Sequence, residues 1–186
     1  MKKILDPKIF WEEFSKYFHE EYYKNESLSN KIYENNTKKW TKWMTKFLKN
    51  FGENNGFHTS CEYWPRIDIG YFSNDGLNWG KWAYEIAIEH KNGIWPTWQD
   101  EICKLMIINA GLKVLIAYRK KPYAELKKAL NEIKNIYKSR KYHQINDNYL
   151  FIFGPTPDIR EKEDFLAFSF NGKDIIDITE GKATIQ

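Results

Sequence analysis

The chain has 186 residues, 42% of them hydrophobic and 17% aromatic against 29% charged, which suggests one domain with its own core and argues against disorder. Its formal charge of +4 is a mild basic excess that suits a polyanionic partner without demanding one. No apolar run approaches the roughly 20 residues of a bilayer span, and no apolar stretch follows Lys2 and Lys3 as a secretory signal would need; with only two distant cysteines, Cys61 and Cys103, the expectation is a cytoplasmic protein with reduced thiols, no zinc and no membrane.

In chain order, residues 6–24 read as a helix. Asp6 is placed to cap it, Pro7 stands where a first-turn proline is tolerated, and Phe10, Phe14, Tyr17 and Phe18 recur at helical spacing. A polar break follows, then a second helix over 37–51 with Trp40, Trp43, Met44, Phe47 and Leu48 on one side and lysines largely on the other, ended by Gly52. Residues 57–64 have strand character, and 65–72 and 83–91 are further strands. Period-two alternation puts Ile67, Ile69, Tyr71, Tyr84, Ile86, Ile88 and His90 on apolar faces, and Arg66, Asp68, Gly70, Glu85, Ala87, Glu89 and Lys91 on the opposite ones.

The connection between these two strands decides whether their acids meet. A two-residue hairpin at Asp75-Gly76 would set Asp68 opposite Ala83, whereas a wider loop centred near Asn78-Trp79 sets it opposite Glu89. The wider loop or a bulge is expected, since only that brings Asp68 and Glu89 together. Beyond Lys91, Trp95-Pro96-Thr97-Trp98 opens a helix running to Ala110 with Gly111 as its stop, and 112–118 is a buried strand, parallel to its neighbour across the helical crossover. A long helix over 122–142 and strands near 149–153 and 165–170 complete the chain, with no assignment beyond Lys173.

Glu89 and Lys91, two apart, stand on one strand face roughly 6 to 7 Å from each other. A carboxylate and an ammonium so placed can divide a task, one holding Mg2+ and the other facing phosphate charge. Mg2+ takes hard oxygen ligands and keeps several waters, so Asp68, Glu89 and the backbone carbonyl of His90 are a sufficient protein ligand set. Glu85 lies about 13 Å from Glu89 along the strand, too far to share the ion, and the His90 ring belongs to the apolar face. Glu62, one strand earlier, is a further acid whose facing the sequence leaves open. Arg66 shares the Asp68 face and suits a phosphate or a neighbouring acid. Glu34, Glu53, Gln99 and Glu101 follow as weaker candidates. Each of these polar groups has a plain alternative as part of a solvated face, and Trp79, Trp82, Trp95 and Trp98 around the site are more simply packing groups than base-stacking platforms.

The succession helix, strand, strand with an Asp, strand ending in Glu-x-Lys, helix, strand resembles the PD-(D/E)XK nuclease superfamily. Glu89-His90-Lys91 matches the (D/E)-x-K element, and Pro65-Arg66-Ile67-Asp68 stands at the P-D element with two residues between Pro and Asp where the family has none. The resemblance implies an α/β restriction-endonuclease-like core, a central mixed β-sheet flanked by helices in the order αβββαβ, over residues 37–119 of a single domain. Residues 1–36 would be an N-terminal helical elaboration, and 120–186 a C-terminal one of a helix plus strands. It further implies a Mg2+-dependent endodeoxyribonuclease of the restriction, repair or mobile-element type, with Mn2+ as a substitute and DNA as partner. Asp68 and Glu89 would be metal ligands, Lys91 would stand near the attacking water, and Gln99 would be the polar residue that many members carry on the following helix. Members that cut both strands are often homodimers. The alternative is a non-cleaving nucleic-acid-binding or protein-interaction module on the same fold.

Overall fold

The structure, a computed structural model, describes residues 3–23, 37–63, 67–73, 84–92, 96–119, 123–139, 147–155 and 165–179. A 3-10 turn over Lys3–Leu5 leads into α1 (Pro7–Tyr23), followed by α2 (Thr37–Asn54), β1 (His58–Tyr63), β2 (Ile67–Phe72), β3 (Tyr84–His90), α3 (Gln99–Ile107), β4 (Ala110–Arg119), α4 (Tyr123–Ser139), β5 (Tyr149–Pro155), β6 (Leu166–Phe170) and β7 (Ile175–Asp177). The seven strands form one mixed sheet in chain order. β1 to β3 is an antiparallel meander, β3, β4 and β5 are parallel, and β6 and β7 return antiparallel. The α/β class read from the sequence is therefore observed, with α3 and α4 as the crossovers that parallel neighbours require.

Helices cover both faces. On one, Phe10, Phe14 and Phe18 of α1 and Met44, Phe47 and Phe51 of α2 pack on Ile69, Tyr71, Ile86, Ile88, Val114 and Ile116. On the other, Ile102, Leu105 and Met106 of α3 and Leu126, Ala129 and Ile133 of α4 pack on Ala87, Leu115, Ala117, Phe151 and Phe168. The face carrying the acids is thus roofed by α3 and α4 instead of being open to water. Asp6 caps α1 as read, its Oδ1 accepting the N–H groups of Lys8 (2.9 Å) and Ile9 (3.2 Å), two donors the first turn would otherwise leave unpaired.

Several expectations are corrected. Gly52 does not end α2; it lies within the helix, where a Cβ would come within 2.7 Å of Thr59 and Tyr71 side chains. The stop is Gly56, at φ 79, in a Schellman arrangement: Phe57 N–H donates to Gly52 O (3.0 Å) and Gly56 N–H to Glu53 O (2.9 Å). Nor does Gly111 end α3. That helix leaves directly into extended chain at Ile108 (φ −84, ψ 141), needing no left-handed residue, and Ala110 and Gly111 already belong to β4. Tyr84 and Ile67 join the α3/α4 side of the core, not the α1/α2 side. Gly70 makes room for this, since a Cβ there would overlap the Tyr84 ring. The Ile175–Asp177 strand had no sequence assignment, and the end expected for α4 falls in residues 140–142, outside the described residues.

Under α4 lies a buried polar network. Lys113, wholly buried, donates to Asp147 Oδ1 (2.5 Å), and Asp147 also accepts from Tyr137 (2.8 Å) and Tyr149 (3.2 Å). Removing one partner of a buried pair strands the other charge, at a cost of about 3–5 kcal/mol. K113M is therefore expected to lower stability by about that amount in urea denaturation, and K113M/D147L to recover most of it. A single variant as stable as the parent would show that the pair carries no such penalty.

Candidate functional site

Register brings the acids together. β2 and β3 pair Ile69 with Ile88, Gly70 with Ala87 and Tyr71 with Ile86, and one step further in the same register sets Asp68 opposite Glu89, as the wider loop requires. Here the ladder hands over from main chain to side chain, for the His90 N–H donates to Asp68 Oδ2 at 2.8 Å. The next amide, Lys91 N–H, turns the other way to Ile116 O (2.9 Å) on β4. Because the N–H and C=O of one strand residue leave on the same edge, the His90 carbonyl faces the β2 edge where Asp68 stands.

The electrostatics follow from burial. Glu89 is inaccessible to solvent, and its carboxyl is pushed up to about 8, first by burial and then by the negative charge of Asp68 and a hydrogen bond with it, against the opposing pull of Lys104. Lys104, on α3, lies 3.4 Å from both Glu89 oxygens. Lys91 makes a tighter pair with Glu101 Oε1 at 2.8 Å, and that hydrogen bond raises its pKa. Glu101 is buried, and its Oε2 has no hydrogen-bond partner among the described residues. The His90 ring, on the opposite face, bonds through Nε2 to Tyr118 Oη (3.0 Å), and burial lowers its pKa to about 3, so it stays neutral and serves as packing.

Two lysines and two buried acids thus alternate across the β3/α3 boundary. Of the two polar residues the sequence offers on α3, Glu101 reaches Lys91, whereas Gln99, at the start of the helix, makes no side-chain hydrogen bond to the site among the described residues. The signal was present. Trp98, Glu101, Ile102, Leu105 and Met106 share the buried phase of the helix, and an acid within an apolar phase calls for a partner. Lys104 was missed altogether. Glu53 is at the other end of the sheet, where it accepts from Thr59 Oγ1 (3.2 Å), and Thr59 pairs with Tyr71, not Asp68. Trp98 is core, its ring 5.3 Å from Phe153. Glu34, Arg66, Trp79, Trp82 and Trp95 lie outside the described residues, as does the Glu62 side chain.

Among the described residues no group of three or more His, Cys, Asp or Glu side chains is placed to hold a metal ion. What the site offers is two carboxylates and one peptide carbonyl, hard oxygens of the kind Mg2+ prefers. Two acids so close that one retains its proton near neutrality even with Lys104 beside it are short of positive charge, which a divalent cation would supply.

The same proton links site and fold. Unfolded, Glu89 ionises near its ordinary 4.5, and folded near 8, so between those values the native state binds the extra proton. Its contribution is fully present below about 4.5 and is lost as pH rises toward 8, at up to about 1.4 kcal/mol per pH unit. In EDTA, urea unfolding of the parent is expected to show this decline and E89Q to lack it. An equal slope in both proteins would place the proton elsewhere.

Protein-family models and curated protein sequences were both searched for relatives of this chain, and neither search found a match.

Proposed function

We propose that the protein is a divalent-metal-dependent endodeoxyribonuclease with a restriction-endonuclease-like core. The observation that carries the reading is the meeting of Asp68 and Glu89 across the β2/β3 ladder, with Lys91 on the same strand face as Glu89. The succession of α2, the β1–β3 meander, α3 and the parallel strand β4 supports it, as an αβββαβ order.

In this reading Asp68, Glu89 and the His90 carbonyl bind Mg2+ or Mn2+, and Asp68 is held in place by the His90 N–H. When bound, the ion supplies a water of lowered pKa and neutralises charge on the phosphate. Lys91, its side chain 41% exposed at the rim, sets a fixed positive charge where the attacked phosphate gains negative charge. Glu101 is a positioning residue: through Lys91 it fixes where that charge stands, at the cost of a buried carboxylate. DNA reaches the site from the Lys91 side, because α3 closes the sheet face behind Glu89. Among the described residues no helix is long and apolar enough to cross a membrane.

Plasmid nicking in Mg2+ or Mn2+ tests the assignment. D68N, E89Q and K91M are each expected to lower cleavage by about 100-fold or more, with the folded baseline retained in circular dichroism. Parental activity in all three variants would move the site elsewhere. DNA binding by the parent protein without cleavage in either metal would favour the non-cleaving module.

A further inference from the structure

We propose that Lys104 is a resident cation, occupying in the metal-free protein the place on Glu89 that a divalent ion takes, and withdrawing when the ion enters. This inference rests on the metal-site reading above and adds to it which cation faces Glu89 in the empty site and what metal entry must displace.

The geometry of the two lysine pairs carries it. The Lys104 ammonium is equidistant from the two Glu89 oxygens, 3.4 Å from each, astride the carboxylate where a cation shared by both oxygens would sit. That separation exceeds the roughly 2.7–2.9 Å of a tight charge-assisted hydrogen bond, whereas Lys91 and Glu101 are at 2.8 Å. Lys91 is held; Lys104 is only attracted.

Exposure is lopsided in the direction exchange needs. The Glu89 side chain is 1% exposed and Lys104 37%, so the acid cannot leave for water and the ammonium can. Lys104 stands in the last turn of α3, where the helix dipole favours a cation. Metal binding then becomes a substitution of cations on Glu89, and the affinity of the site is set partly by the lysine that must depart.

The test compares the parent and K104M at mildly alkaline pH, by Mn2+ titration calorimetry and by urea unfolding in EDTA and in saturating Mn2+. K104M is expected to bind Mn2+ about tenfold more tightly. It should also unfold more readily in EDTA, by about tenfold in the unfolding constant, because Glu89 has lost its counter-charge. In saturating Mn2+ the two proteins should unfold together, because the parent has released Lys104. A lysine that merely repels the ion from a distance would predict no loss of stability in EDTA. K104Q provides the same comparison with a polar side chain, should the methionine pack aberrantly.

Mn2+ binding by the parent with no gain in K104M, or a stability difference that persists in Mn2+, overturns the displacement and leaves the metal site standing. Mn2+ binding by K104M alone supports displacement in its strongest form. No Mn2+ binding by either protein overturns the metal-site reading together with this inference.

Discussion

The His90 amide that donates to Asp68 is where strand pairing and site chemistry become one constraint. Antiparallel pairing of β2 with β3 fixes which residues face each other, and because side chains alternate, a slip of one residue would send one acid through the sheet to the α1/α2 face. The apolar sets on both strands forbid that slip, since Ile69 and Tyr71 of β2, or Ile86 and Ile88 of β3, would have to leave their core with it. The carboxylates are therefore positioned by hydrophobic burial on the face they do not occupy. Asp68 then ends the ladder by taking an amide that would otherwise need a main-chain acceptor.

Putting two acids beside each other under a helix is unfavourable unless something answers the charge. Burial and the Asp68 charge together leave a proton on Glu89. α3 answers further with residues one turn apart, Glu101 toward Lys91 and Lys104 toward Glu89, so that each charge on the strand meets its opposite on the helix. The two pairs differ in tightness and exposure, and that inequality gives the site a fixed cation and a movable one. By contrast the Lys113–Asp147 network, also beneath the helical roof, has two tyrosines closing around the same carboxylate and no comparable freedom.

Much of this was legible in the sequence for reasons of periodicity. Alternation in 67–72 and 84–90 sorted the acids from the apolar residues, and of the registers the loop allowed, the one that joins the two acids is the one observed. The Asp6-Pro7 start of α1 was readable because capping is local. What escaped depended on contacts distant in sequence. Gly52 and Gly111 looked like helix stops, but one is a site of close approach to Tyr71 and the other lies inside a strand. Tyr84 crosses to the unexpected face because Gly70, fourteen positions earlier, leaves the space. Glu101 and Lys104 showed only as ordinary helix charges, since nothing local tells which strand residues a crossover helix will cover.

The far face of the sheet has its own stake in the site. The His90 ring reaches Tyr118, whose hydroxyl also takes the indole N–H of Trp40, and Asn92, just past β3, is hydrogen-bonded to Thr41. The first turns of α2 are thereby fastened to the strand end whose amide grips Asp68. Reshaping that helix for any other purpose would disturb, through a hinge of three aromatic and imidazole rings, the placement of a carboxylate it never touches.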